Sequence, residues 1–269
     1  MQSQSSVAIF DSGLGGLTVM REIMQLLPYE DLIYFGDMAR VPYGGRGSKT
    51  IVRYALECIR FLMKRKIKCL VIACHTVSAY ALQDLAREFG LPMLGVIEPL
   101  VQELCKTDAK QILILGTKAT IASHIYPKLI LEKKPSLKIS SIAAPLFVPF
   151  VEEGLIHHPA CDLVVQEYLK PLAGQKIDAA LLACTHYPLI KKAIQKCIGR
   201  QVTLIEAGPP TAHALFDLLA NKLLLSPPRR SKLSFIVTDH REKFCSHAAA
   251  FLNRPIDPHD VEEVDLCSL

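Results

Sequence analysis

Short apolar runs alternate with helix-period segments from one end of this chain to the other. Residues 7–10, 32–35, 69–73, 93–97, 112–115, 139–143, 179–183, 202–205 and 233–237 read as buried strands. Between them, Leu17, Met20, Met24 and Leu27 share one helical face over residues 17–27. Ile51, Ala55, Ile59 and Leu62 do the same over residues 50–63, with Ser48 placed to cap that helix. Strands buried on both faces and joined through helices cannot close as hairpins, so the chain is expected to be α/β, with parallel sheets covered on both sides.

The pattern repeats loosely. In the first half one strand runs into Asp11-Ser12-Gly13 and another into Cys74-His75-Thr76; in the second, one runs into Gly116-Thr117 and another into Cys184-Thr185-His186. Two similar doubly wound domains facing each other across a shared site account for this, although strands of any α/β protein also resemble one another. The length of 269 residues fits two domains. The boundary is placed near Glu98-Pro99, and Pro209-Pro210 is read as a break after which a helix, strand and helix return to the first domain. The expected domains are 1–98 plus 209–269, and 99–208.

Composition narrows the class. With 31 basic and 26 acidic residues, the net charge of +5 is too small to argue for nucleic acid. Residues 40–68 lean basic and 257–265 acidic. The first residues carry no secretory pattern and no apolar run reaches the ~18–20 residues of a membrane span, so a cytoplasmic protein off the membrane is expected. Nine cysteines, an odd number without tight pairing, do not suggest a disulfide framework.

In open α/β sheets ligands bind beyond the carboxyl ends of the strands. The polar residues there are Asp11, Ser12, Asp37, Cys74, His75, Thr76, Glu98, Thr117, Cys184, Thr185, His186 and Glu206. Cys74 and Cys184 are thus set apart from Cys58, Cys69, Cys105, Cys161, Cys197, Cys245 and Cys267, which read as small buried hydrophobes or, for Cys267, tail. A structural zinc site would need two close Cys-x₂₋₄-Cys pairs, whereas only Cys69 and Cys74 come that near; a Cys-x-x-Cys redox pair is absent, and a hydrolase nucleophile leaves the second thiol unexplained. Two thiols facing one ligand suit removal of a proton from one face of a carbon and delivery to the other, with Asp11 near one sulfur and His186 near the other. Plain packing remains the alternative for both.

The glycine turn Asp11-Ser12-Gly13-Leu14-Gly15-Gly16 follows a strand and opens a helix, as in dinucleotide sites. Thr18 stands where the third glycine is needed, and Asp11 would repel a pyrophosphate. A small carboxylate beside Ser12 is the better fit, and a tight turn is compatible with it. In the loop 37–46, backbone N–H groups around Pro42 and Gly44 and the Tyr43 hydroxyl can grip an anion, or the loop is a solvated connection over a buried Tyr43. Glu152-Glu153 reads as an exposed helix end and His157-His158 as surface; the histidines form no metal pattern.

The segments DSGLGGLT (11–18), GDMARVPYGGR (36–46), ACHT (73–76), GVIEP (95–99), PLFVPFVEEG (145–154), ACTHYPL (183–189) and TDHRE (238–242) together resemble the glutamate racemases of the aspartate/glutamate racemase superfamily. They fall in family order over nearly the whole chain. The resemblance implies two α/β domains enclosing the substrate and interconversion of L- and D-glutamate without pyridoxal phosphate or metal. It also implies supply of D-glutamate for peptidoglycan and, commonly, a homodimer. Cys74 and Cys184 match the catalytic cysteines, Cys74 acting toward D-glutamate and Cys184 toward L-glutamate. Asp11, His186 and Glu152 match assisting groups; Ser12, Pro42, Tyr43, Gly44, Thr76 and Thr185 match substrate contacts.

Two positions depart from the family pattern. His75 replaces the usual Asn after the first cysteine, exchanging an amide that donates and accepts for a larger ring, with expected effects on affinity, pH response or substrate choice. Ala183 stands where Gly commonly precedes the second cysteine. A racemase of another acidic amino acid such as aspartate shares the scaffold. A binding-only relative with a degraded site is a further alternative, since some glutamate racemases bind DNA gyrase; intact Cys74 and Cys184 argue against it.

Overall fold

The computed structural model describes residues 5–266. Its strands are β1 (Ser6–Asp11), β2 (Leu32–Gly36), β3 (Ile67–Ile72), β4 (Met93–Gly95), β5 (Gln111–Gly116), β6 (Lys138–Ala143), β7 (Ala179–Ala183), β8 (Thr203–Ile205), β9 (Leu233–Val237) and β10 (Val261–Glu263). The helices are α1 (Leu17–Leu26), α2 (Ser48–Leu62), α3 (His75–Tyr80), α4 (Leu82–Phe89), α5 (Ile97–Cys105) and α6 (Lys118–Ala122). They continue with α7 (Ile125–Lys133), α8 (Phe147–Glu152), α9 (Pro159–Leu169), α10 (Lys191–Ile198), α11 (Gly208–Asn221) and α12 (Arg241–Leu252).

The strands form two wholly parallel sheets, ordered β10-β9-β2-β1-β3-β4 and β6-β5-β7-β8. The architecture is therefore two parallel-sheet α/β domains. In the first sheet β1 lies between β2 and β3, and in the second β5 lies between β6 and β7. At each of these strands the order reverses, so the connecting helices leave to opposite faces and a crevice opens at the carboxyl ends. The first crevice presents Asp11 and Cys74; the second presents Thr117 and Cys184.

Several expectations need correction. The run 93–97 is strand only to Gly95, because Ile97 already opens α5 with Glu98 and Pro99 in its first turn. Residues 139–143 form an edge strand rather than a buried one, and β6 is half-exposed throughout. Ser48 is the first residue of α2, behind Gly47, and makes no capping hydrogen bond. Pro209 and Pro210 do not break the chain but occupy the first turn of α11, where their missing N–H groups cost nothing. Strand β10 was not anticipated: Val261-Glu262-Glu263 buries only its valine and lies in the acidic segment. Of the seven other cysteines, Cys58, Cys69 and Cys161 are buried, Cys105 and Cys245 half-buried and Cys197 exposed; Cys267 lies outside the described residues. No helix among the described residues is long and apolar enough to cross a membrane.

A buried ion pair ties the first sheet to the segment after α11. Lys68 Nζ lies 2.5 Å from Glu30 Oε2 and donates to the Leu224 carbonyl at 2.7 Å. Ser226 donates its backbone N–H and its hydroxyl to the Glu30 carboxylate at 2.7 and 2.8 Å. Each charge thus has hydrogen bonds beyond its counter-ion, the condition under which buried charge is tolerated.

Candidate active site

The carboxyl ends of β1, β3, β5 and β7 meet around a cavity of about 20 Å³, lined by Ser12, Val41, Pro42, Tyr43, Gly44, Cys74, His75, Thr76, Thr117, Val148, Cys184, Thr185 and His186. Cys74 is the residue before α3, in extended conformation, and Cys184 follows β7 directly. The sequence-expected contacts Ser12, Pro42, Tyr43, Gly44, His75, Thr76, Thr185 and His186 are all in the wall. Asp11 and Glu152 lie behind it and reach it through Thr185 and His186.

Around Cys74, the Ser12 hydroxyl lies 3.3 Å from the sulfur. Burial, followed by the Asp11 carboxylate, pushes the Cys74 thiol up to about 12, against the Ser12 hydrogen bond. Cys74 therefore holds its proton at neutral pH. Asp11 is fully buried, accepts from the Gly13 N–H at 3.0 Å and from the Thr185 hydroxyl at 3.4 Å. Burial raises its carboxyl above the ordinary value, while the charge of His186 and these hydrogen bonds pull it back.

Around Cys184 the electrostatics are reversed. His186 Nδ1 lies 3.9 Å from the Cys184 sulfur, and Nε2 lies 3.1 Å from Glu152 Oε1. Burial opposes a charge on this ring, yet the hydrogen bonds to Cys184 and Glu152 raise it to about 10. An imidazolium thus faces one sulfur while a carboxylate sits behind the other. Glu152, read from its neighbours as an exposed helix end, closes α8 with its carboxylate on the His186 ring; Glu153 does face solvent and pairs with Lys243.

The glycines explain how the halves come this close. A Cβ on Gly15 would lie 2.5 Å from His186 Nδ1 and would overlap Thr185 Oγ1 more deeply still. The glycine turn therefore serves contact with the second cysteine loop and leaves no room for a pyrophosphate. Gly44 is packed against Thr117 in the same way, its Cβ direction blocked at 2.6 Å. Thr18 fixes the seam, donating to the carbonyls of Gly15 and Thr185.

The Tyr43 hydroxyl is committed elsewhere: it donates to Asp37, so it offers the cavity its ring and not a free donor. Asp37, fully buried, also accepts from Arg40 Nε at 2.7 Å and from the Thr238 hydroxyl at 2.8 Å. This network anchors the loop carrying Pro42 and Gly44 and gives Thr238, in the last family-like segment, a structural task. Glu98 is exposed and Glu206 pairs with Lys191; neither reaches the cavity. His157 and His158 are on the surface.

Sequence reasoning did not single out Val41 or Val148, and it left Thr117 out of the substrate set although it stands at a strand end. It also missed Thr120 and Tyr126. Thr120 joins a hydroxyl cluster with Thr76 and Thr117. Tyr126 meets His75 Nδ1 at 2.6 Å. Both sit on helices where only tertiary packing marks them.

A cavity between two parallel-sheet domains, with one cysteine from each, can be compared with known proteins. The Asp/Glu/Hydantoin racemase family model matches residues 14–215, most of the chain. The chain belongs to the Asp/Glu/hydantoin racemase family. Within that family, the glutamate racemase of Chlorobaculum tepidum is 40% identical over 99% of this chain and 98% of its own length. The crystal structure of a Bacillus anthracis glutamate racemase superposes with a TM-score of 0.93 at 35% identity, covering 98% of both chains. The Francisella tularensis glutamate racemase, crystallised with D-glutamate, gives 0.92 at 35% identity over 99% of this chain and all of that one.

Proposed function

We propose that this racemase interconverts L- and D-glutamate with Cys74 and Cys184 as its two acid–base groups, one for each face of Cα. The observation that carries the reading is the pair of thiols on a single cavity, each from a different sheet, with the Asp11 carboxyl behind Cys74 and the His186 ring beside Cys184. Full-length similarity to glutamate racemases supports the choice of substrate.

The thiolate of Cys184, met by the His186 imidazolium, removes the Cα proton of L-glutamate. The electron pair left on carbon is delocalised into the adjacent carboxylate, and the Cys74 thiol delivers its own proton to the opposite face. The products are D-glutamate, a protonated Cys184 and a deprotonated Cys74; the reverse reaction exchanges the roles. The Ser12 hydroxyl, 3.3 Å from Cys74, can stabilise that thiolate when it forms. Glu152 holds the His186 ring in orientation, and Ser12, Thr76 and Thr185 offer hydroxyls to a polar substrate. A cavity of about 20 Å³ holds roughly one water, so glutamate enters only as the walls separate.

Chemistry carried by two thiols needs neither pyridoxal phosphate nor metal, and D-glutamate is a building block of peptidoglycan made in the cytoplasm. We assign residues 1–98 with 209–269 to one domain and 99–208 to the other, and expect a homodimer. Circular dichroism of purified protein with L-glutamate, D-glutamate or L-aspartate tests the reading. The expected result is loss of ellipticity with both glutamates and none with aspartate; activity on aspartate alone would replace the substrate.

A further inference from the structure

His75 lines the cavity, and its surroundings specify a function for it. The ring is buried, lines the same cavity as Cys74 and Cys184, and places Nδ1 2.6 Å from the Tyr126 hydroxyl. Its other nitrogen, Nε2, is buried without a hydrogen-bond partner. Burial alone keeps the imidazole neutral, lowering it to about 3, so the pH-sensitive binding expected from an exposed histidine does not apply. A neutral ring carries one proton, on one nitrogen or the other.

Tyr126 decides which. Its phenol is buried and stays protonated, because burial and then the neighbouring Cys184 push it well above its ordinary value. A buried O–H needs an acceptor, and among the described residues the partner of this hydroxyl is His75 Nδ1. If Nδ1 instead carried the ring proton, the phenol proton would be stranded. The phenol therefore donates to Nδ1, and the ring proton resides on Nε2.

We propose that Tyr126 locks His75 in the Nε2–H tautomer, making the imidazole a one-donor clamp for a carboxylate of the amino-acid substrate. The substrate part of this rests on the racemase reading above. His75 is then a binding residue, and Tyr126, on α7, a positioning residue that sets its polarity. An Asn at position 75 would present both a donor and an acceptor; the locked ring presents only the donor, and favours an anionic group.

Histidine labelled with ¹⁵N tests the tautomer directly, with the His75 signal assigned by its loss in His75→Asn. The expected spectrum has Nε2 protonated and Nδ1 bare in the wild type. A wild-type spectrum with Nδ1 protonated overturns the proposal. In Tyr126→Phe, KM for both glutamate enantiomers should rise about 10- to 100-fold, the worth of one hydrogen bond to a charged group, with kcat within about threefold. An unchanged KM in folded Tyr126→Phe also overturns it. Failure of the wild type to exchange the Cα proton of glutamate in D₂O would overturn the racemase reading instead, leaving the tautomer measurement unaffected.

Discussion

Replacing Gly15 with alanine probes the seam on which the site depends. The added Cβ would start 2.5 Å from His186 Nδ1, and ordinary contact begins at 3.4 Å, so the ring must retreat by about 0.9 Å. It cannot do so freely, because Nε2 is held by Glu152 and Nδ1 faces Cys184. Thr185, overlapped more deeply, must rotate off Asp11 and take with it one hydrogen bond of a fully buried carboxylate. A displacement of about 1 Å at reacting groups costs on the order of 10²-fold in rate, and overpacking costs about 1–3 kcal/mol in stability. Gly15→Ala should therefore lose about 100-fold in kcat, by circular dichroism with glutamate, while unfolding in urea with a modest drop in midpoint. A variant that turns over at the wild-type rate would refute the claim that the glycine turn sets the position of His186.

Other consequences follow from the buried charges. His75 is neutral in the folded protein down to about pH 3 but titrates near 6.5 when unfolded, so the unfolded chain binds the extra proton between these values. Stability should fall as pH drops through that window by up to ~1.4 kcal/mol per unit, and His75→Asn should show a shallower acid limb in urea titrations at pH 4–7; parallel limbs would contradict it. His186 has the opposite sign: raised to about 10, it contributes stability that is complete below 6.5 and lost as pH rises toward 10. His186→Gln should flatten that alkaline limb, and an unchanged profile would show that the ring is not charged. Glu30→Ala removes the Glu30 carboxylate from the buried Lys68 ammonium and should destabilise by about 3–5 kcal/mol; a loss below about 1 kcal/mol would mean that this ion pair contributes little.

Much of this architecture was legible because buried parallel strands announce themselves as apolar runs, and the rule that ligands bind at strand ends then isolates Cys74 and Cys184 without reference to structure. What was hidden is physical in origin. Strand β10 has three residues and only Val261 buried, so its acidic neighbours masked it. The edge strand β6 carries Ser140 and Ser141 between Ile139 and Ile142, and among the described residues β5 is its one neighbour. Ser48 is chemically suited to cap α2, yet the chain enters the helix one residue earlier, at Gly47. Tyr126 lies on a helix where a buried tyrosine looks like any other core residue; only the distance to His75 gives it a role. Tyr43 lines the cavity, but the fate of its hydroxyl depended on Asp37, which comes from the preceding strand end and is held also by Thr238 from the far end of the chain.

The central claim, that two thiols serve opposite faces of one carbon, is tested most directly by following the Cα proton by NMR in D₂O from a single enantiomer at early times. With one base per face, the product enantiomer should appear fully deuterated at Cα while the remaining starting enantiomer keeps its proton, and Cys74→Ser or Cys184→Ser should slow product formation by at least 10²–10⁴-fold. Product that retains the proton of the substrate, or a Cys184→Ser variant that racemises at the wild-type rate, would contradict the account.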